Sequence, residues 1–225
     1  MRYDKRAIGE SVFRIKEKDL LFDDYVDDAN LWVTKLRQDK RFSALIVAGH
    51  SEGALIGILV AEKQAIDGLI SLAGPGEPLQ KILLRQISER QPQIYAKSAE
   101  IVASLEKGNI IEVTDPSLQP LFRTSVQPFL QSAFRYNPSV EISKLKIPIL
   151  LIQGTQDLQI NLVDADSLKT ANKKAKLIII KDMNHILKDS SSDIKANIAT
   201  YSNPNRPLAK ALVPTITSFL KQIGM

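Results

Sequence analysis

The chain has 225 residues, of which 44% are hydrophobic, 24% charged and 6% aromatic, and this balance excludes a disordered chain, a collagen and a coiled coil. Thirty basic and 25 acidic residues leave a net charge of +5, and there are no cysteines and only two histidines. Disulfides, thiolate nucleophiles and multi-histidine metal sites are therefore excluded, and we expect neither a cofactor nor a metal.

The basic residues are dispersed along the chain, and no nucleic-acid-binding motif or aromatic platform accompanies them, so no nucleic-acid partner is expected. The longest unbroken apolar run, residues 54–61, is too short to cross a bilayer. The opening residues MRYDKR are not followed by the apolar stretch of a signal peptide. These features predict a cytoplasmic protein without a membrane span, and they leave the oligomeric state open.

The spacing of apolar residues predicts alternating strands and helices. In chain order these are a helix over 24–39, a strand over 42–50, a helix over 51–62, a strand over 65–74, two amphipathic helices within 76–140, a strand over 147–154, a helix over 162–173, a strand over 175–182 and a helix over 207–223. Apolar strands that alternate with helices predict an α/β fold with a mostly parallel, doubly wound sheet.

The stretch 76–140 departs from this alternation because it carries no strand pattern and is rich in helix signals and prolines. An all-helical insertion in an α/β chain is typical of a cap over the carboxyl edge of the sheet, where ligands bind in such folds. We therefore predict a core made of 1–75 and 141–225, with 76–140 as a helical cap.

The pentapeptide GHSEG, residues 49–53, lies directly between a predicted strand and a predicted helix. That setting is the one a nucleophile elbow requires, with Ser51 on the strained turn. Flanking glycines would allow the backbone to approach closely, and the helix N-terminus would favour developing negative charge. The alternative is a turn softened by glycine that carries no chemistry.

A nucleophilic serine needs a base, and the chain offers two histidines. His50 adjoins Ser51 in sequence, so we expect its side chain to point away from the serine hydroxyl. His185 lies just past the strand predicted over 175–182, at the carboxyl edge of the sheet. His185 is therefore the predicted base.

The base in turn needs an orienting carboxylate, and Asp157 follows the strand predicted over 147–154. Asp182, at the end of the next strand, is the alternative acid. The chain order Ser51, Asp157, His185 is the order found in α/β-hydrolases.

Four segments resemble bacterial α/β-hydrolases of the serine aminopeptidase-like and carboxylesterase branch: YDKRAIGES, GHSEG, KIPILLIQGTQD and DMNHILK. The resemblance implies the α/β-hydrolase fold and a serine hydrolase that acts on small-molecule carboxylic esters or related acyl groups through an acyl-enzyme. It implies that Ser51 is the nucleophile, that His185 is the general base and then acid, and that Asp157 orients it. The backbone N–H of Glu52 would be one oxyanion donor.

The chain departs from this family at its beginning. In the family a second oxyanion donor comes from a loop that precedes the YDKR-like segment, whereas here that segment starts at residue 3. The chain as given is therefore expected to lack the N-terminal strands of the fold and this donor. Loss of one such donor typically costs about 10²–10³ in rate.

Three functions follow from these observations. The leading one is a carboxylesterase. The second is a peptidase that releases N-terminal residues, in which Glu52 and Glu77 are candidates to hold the free amine. The third is a truncated or degenerate relative that keeps the elbow but does not catalyse.

Overall fold

The computed structural model describes residues 1–11 and 15–225, which divide into two compact units. One unit consists of Met1–Trp32 and Pro78–Asn137, and we name it the helical unit. The other consists of Val33–Glu77 and Pro138–Met225, and we name it the sheet unit.

Strands and helices alternate through much of the chain. The strands are β1 (Ile46–His50), β2 (Gly68–Leu72), β3 (Ile149–Gly154) and β4 (Lys176–Ile180). The helices are α1 (Phe22–Arg37), α2 (Glu52–Lys63), α3 (Leu79–Arg90), α4 (Tyr95–Glu106), α5 (Gln119–Phe122), α6 (Gln127–Phe134), α7 (Pro138–Ser143), α8 (Leu162–Ala171), α9 (Ile194–Ala199) and α10 (Leu212–Gln222).

The strands of the sheet unit form one parallel sheet in the order β1-β2-β3-β4. Representative register pairs are Ile46 with Gly68, Leu69 with Ile149, and Leu150 with Lys176. Because the strands are parallel, their carboxyl ends meet at one edge, and the loops that follow β1, β3 and β4 all start there.

Both faces of this sheet are covered by helices. On one face, Ile58 of α2, Ile142 of α7 and Leu168 of α8 pack with Leu69 and Leu151. On the other face, side chains of α10 pack with the alternate strand residues; this cluster includes Leu212, Phe219, Ile70, Leu150 and Ile152. Side chains alternate between faces along a strand, so consecutive residues of β2 and of β3 pack into the apolar clusters on opposite faces of the sheet. The predicted α/β class with a doubly wound sheet is confirmed.

The helical unit has an apolar core of its own. Its buried residues are Ile87, Ile94, Ile101, Val102, Leu105, Val113, Leu118, Phe122, Leu130 and Phe134. The start of α1 joins α6 in this unit, where the backbone N–H of Phe22 donates to the Ser132 hydroxyl at 2.7 Å. The Phe22 ring also lies 6.1 Å from the Phe129 ring, edge to face.

Element boundaries differ from the prediction where long-range contacts intervene. The strand predicted over 42–50 begins only at Ile46, because Leu45 donates its backbone N–H to the side chain of Asp67 at 2.8 Å. Helix α9 was not predicted; Asp193 begins it by accepting the Ala196 N–H at 2.8 Å. An aspartate in that position satisfies an N–H group that the first helical turn leaves open.

The helical stretch within 76–140 is present, with α3 and α4 close to their expected positions. The predicted division grouped 1–75 with 141–225, whereas contacts in the structure group Met1–Trp32 with Pro78–Asn137. The role of 76–140 as a cap stays a prediction. Within residues 1–11 and 15–225, no helix combines the length and the apolar character needed to cross a membrane.

Candidate active site

Ser51 occupies a strained turn between β1 and α2. Its backbone has φ 55° and ψ −123°, a conformation that costs of order 1–3 kcal/mol and that persists only where the surroundings impose it. The Ser51 N–H donates to the Leu72 carbonyl of β2 at 2.9 Å, and the Ser51 carbonyl accepts the Ala54 N–H at 2.9 Å. The sheet and the helix therefore hold both sides of the residue.

The two glycines of GHSEG differ in whether the structure leaves room for a side chain. A Cβ on residue 49 would come far inside 3.0 Å of the Gly53 carbonyl oxygen, so Gly49 is required for the helix to start this close to the strand. A Cβ on residue 53 would have no neighbour within 4 Å. The steric argument for glycine at both positions is therefore wrong for Gly53.

Asp157 lies in the loop after β3, and its side chain is fully enclosed, with 0% of its surface exposed. One carboxylate oxygen accepts the backbone N–H groups of Gln159 and Ile160 at 2.8 and 2.9 Å. The other oxygen lies 2.9 Å from Nδ1 of His185 and accepts from Nε2 of Gln153 at 3.1 Å. Four donors thus hold the carboxylate in one orientation.

His185 lies in the loop after β4, and only 6% of its side chain is exposed. Because a carboxylate accepts, the Nδ1 that faces Asp157 carries the ring proton, which leaves Nε2 as the basic nitrogen of the neutral imidazole. The two residues that precede His185 anchor the loop: the Met183 carbonyl accepts the Gln156 N–H at 2.9 Å, and the Asn184 amide donates to Thr200 Oγ1 at 2.7 Å.

His50 contacts the predicted base directly. Its Nε2 lies 2.6 Å from the carbonyl oxygen of His185, and the two imidazole rings are 4.9 Å apart with an angle of 45°. Desolvation of the ring is the largest effect and lowers the pKa of His50; the hydrogen bond to the His185 backbone raises it in part, and the charges of His185 and Asp157 act in opposite directions. The contact brings His185 against the residue that adjoins Ser51.

The other candidate residues lie elsewhere along the same edge. Asp182 is exposed at φ 60°, and its main-chain N–H donates to Oγ1 of Thr155 at 2.9 Å, while the acid that contacts His185 is Asp157. Glu52 is the first residue of α2, so its N–H belongs to the first helical turn, whose N–H groups point out of the helix end. Glu77 is the last residue of Val33–Glu77, the first of the two segments that form the sheet unit.

Two residues of this constellation were not predicted as part of the site, namely Gln153 and His50, whose ring contacts the His185 carbonyl. Gln153 is 1% exposed and is the penultimate residue of β3, where the rest of the strand is apolar apart from its terminal glycine. A glutamine buried at the end of an apolar strand, four residues before the acid, was the available signal. In the part of the chain that the structure describes, no three His, Cys, Asp or Glu residues are placed to hold a metal ion.

Comparison with known proteins places the chain in a family. The family model described as "Serine aminopeptidase, S33" matches residues 1–189. Esterase EstD of Thermotoga maritima is 28% identical over 203 residues, which cover 83% of this chain and 45% of EstD. The chain thus spans about half the length of this curated relative.

Solved structures share the fold at low identity. A putative non-heme bromoperoxidase, BpoC, from Mycobacterium tuberculosis aligns with a TM-score of 0.58 and 14% identity over 99% of this chain and 81% of its own. A lipase-esterase related protein from Clostridium acetobutylicum aligns with a TM-score of 0.56 and 16% identity over 96% of this chain and 81% of its own. At these identities the similarity shows the fold alone. With the family model matching most of its length, the chain belongs to the serine aminopeptidase S33 family of α/β-hydrolases.

Proposed function

We propose that the chain is a serine hydrolase that cleaves carboxylic esters of small molecules, with Ser51, His185 and Asp157 as its catalytic triad. The observation that carries the proposal is the enclosed hydrogen bond between His185 Nδ1 and Asp157 Oδ2 at 2.9 Å. This bond belongs to a loop that packs against His50, the residue next to Ser51. Activation of a serine hydroxyl requires an imidazole oriented by a carboxylate, and the contact between His50 and His185 supports placing that imidazole near Ser51.

In the proposed reaction, Ser51 Oγ attacks the ester carbonyl carbon while His185 Nε2 takes the hydroxyl proton. Asp157 stabilises the imidazolium that forms, and the backbone N–H of Glu52 donates to the oxyanion. The tetrahedral intermediate collapses, the C–O bond to the leaving alcohol breaks, and His185 returns the proton to that alcohol. A water molecule then attacks the acyl-enzyme with the same proton transfers, which releases the carboxylic acid and restores Ser51.

The choice of ester over other acyl substrates is supported by the relative named an esterase, EstD. A specific observation also favours a second candidate, because the matching family carries the name of serine aminopeptidases. A peptidase would use the same triad and would need an anionic group for the free amine. Glu52, at the start of α2, and Glu77 are the candidates.

Labelling with a fluorophosphonate probe tests whether Ser51 is an activated nucleophile. We expect covalent labelling of the full chain that is lost in Ser51→Ala and kept in Ser43→Ala, a matched change at an exposed serine. A well-folded chain that fails to label would overturn the enzymatic proposal. The remaining interpretation would be a relative that keeps the elbow but does not catalyse. Hydrolysis of short p-nitrophenyl esters but not of aminoacyl anilides would separate the esterase from the peptidase.

A further inference from the structure

One histidine of the chain has no role in the proposed mechanism, although it touches the base. His50 Nε2 lies 2.6 Å from the carbonyl oxygen of His185, and the two rings are 4.9 Å apart. A carbonyl oxygen only accepts hydrogen bonds, so the proton lies on Nε2 and His50 is the donor. The tautomer of His50 is thereby determined by its partner.

The backbone of His50 is held in place by the sheet. It is the last residue of β1 and pairs in register with Leu72 of β2, whose carbonyl also accepts the Ser51 N–H at 2.9 Å. His50 and Ser51 are therefore held by the same pair of strands. A side chain anchored in this way transmits the position of the strand to whatever it binds.

His185, by contrast, belongs to a long loop whose other anchors lead away from β1. The Met183 carbonyl accepts the Gln156 N–H, which belongs to the loop after β3. The Asn184 side chain donates to Asn197 and Thr200, in and just after α9. The hydrogen bond from His50 therefore ties this loop to the strand that leads into Ser51.

We propose that His50 is a positioning residue, whose hydrogen bond to the His185 carbonyl holds the imidazole of His185 in register with Ser51. The inference rests on the proposed function, because it assigns His185 the role of the base. Asp157 sets the rotation of the imidazole through Nδ1, and His50 sets the place of the backbone that carries the ring. One constraint on the ring and one on the backbone that carries it together give a precisely placed base.

The protonation state of His50 suits this role. Desolvation of the ring is the main cause that lowers the pKa of His50, which favours the neutral imidazole, and a neutral imidazole still donates through Nε2. A neutral donor leaves the positive charge that develops on His185 without a cationic neighbour, and Asp157 is the charge that faces it.

Two substitutions separate the hydrogen bond from the packing of the ring. His50→Gln places an amide N–H donor close to where Nε2 lies, whereas His50→Phe keeps a flat ring and removes the donor. Each variant is assayed for kcat and KM on a short p-nitrophenyl ester. The low-field proton NMR signal of His185 Nδ1–H, identified by its loss in Asp157→Asn, reports the imidazole directly.

We expect His50→Phe to lower kcat by about 10- to 100-fold, since a displacement of the base by about 1 Å costs up to about 100-fold. KM should change by less than about threefold, and the Nδ1–H signal should shift or broaden. His50→Gln should keep kcat within about threefold of the native value, together with a native signal. Wild-type kcat and a native signal in His50→Phe, or equal losses in both variants, would overturn the proposal.

Failure of the positioning role of His50 can also be distinguished from failure of the proposed function. If the native chain neither labels nor hydrolyses esters, the triad proposal falls, and the NMR signal alone decides whether His50 positions His185. Thermal unfolding checks each variant. If His50→Phe does not fold, His50→Asn replaces it, because its shorter amide stops short of the His185 carbonyl, and the same losses are expected.

Discussion

Residue 154 must be glycine because the carbonyl oxygen of Met183 occupies the place of its side chain. A Cβ there would lie far inside 3.0 Å of that oxygen, which is main chain and cannot rotate away. Gly154 ends β3, three residues before Asp157, and Met183 stands two residues before His185. The close approach of these two backbones therefore brings together the loop after β3, which carries Asp157, and the loop after β4, which carries His185.

Gly154→Ala should force the two loops apart. We expect a loss of about 1–3 kcal/mol in the free energy of unfolding, as for other overpacked sites, measured by chemical denaturation. Ester hydrolysis should fall more in kcat than in KM, because the Asp157–His185 hydrogen bond is strained while the substrate contacts at Ser51 are not.

Gly53→Ala is the matched control for stability, since its Cβ would meet nothing within 4 Å and residue 53 lies in α2. We expect a gain of up to about 0.5–1 kcal/mol from the better helix propensity of alanine. Equal losses of stability in Gly154→Ala and Gly53→Ala would contradict the steric explanation.

The identity of the acid can be tested by two isosteric substitutions. In Asp157→Asn an amide group faces His185 Nδ1 and favours the wrong tautomer, so we expect kcat to fall by up to about 10⁴-fold. Asp182→Asn should leave kcat near the native value, because Asp182 is exposed and is bound to Thr155 through its main chain. The reverse result would move the role of the acid to Asp182.

Much of the site could be predicted because parallel strands end at one edge. The strand pattern placed Ser51, Asp157 and His185 at the ends of three strands, and the structure joins Asp157 and His185 by a hydrogen bond. Their catalytic roles remain proposals. What the pattern could not predict is the path of the loop after β4, which depends on contacts between distant residues such as Asn184 and Thr200. The contact of His50 with the His185 carbonyl follows from that path.

The fold shows the same division between local and distant causes. Helix α2 and strand β3 are encoded by continuous apolar runs and lie close to where they were predicted. The late start of β1 comes from the hydrogen bond between Leu45 and Asp67, which are 22 residues apart. No local periodicity carries that information.

Asp67 should make the stability of the sheet unit depend on pH. Its carboxylate accepts the Leu45 N–H and pairs with Arg37, each at 2.8 Å, and these contacts lower the pKa of Asp67 below its usual value. A carboxylate with a lowered folded-state pKa stabilises the fold above its unfolded pKa of about 3.9, and loses this contribution as the pH falls through the folded value.

Asp67→Asn removes this dependence. The difference in unfolding free energy between the native chain and the variant should be largest near neutral pH and should shrink as the pH falls below about 4. Denaturant titrations at several pH values measure it, with Asp166→Asn as a control for an acidic residue outside this contact. A difference that is constant or grows toward acid pH would rule out the assignment to Asp67.

Ala7 offers a test of backbone strain in the helical unit. Its φ is 65°, in the left-handed region, where an L-residue with a Cβ costs roughly 1–2 kcal/mol. Its N–H donates to the Ser11 carbonyl at 2.9 Å, so the turn is held in place.

The substitution Ala7→Gly relieves the strain, but the greater conformational entropy of glycine stabilises the unfolded chain by about 0.5–1 kcal/mol. We therefore expect a net gain of up to about 1.5 kcal/mol in unfolding free energy. The same change at Ala29, inside α1, should instead cost about 1 kcal/mol, so opposite signs in thermal or denaturant unfolding check the argument.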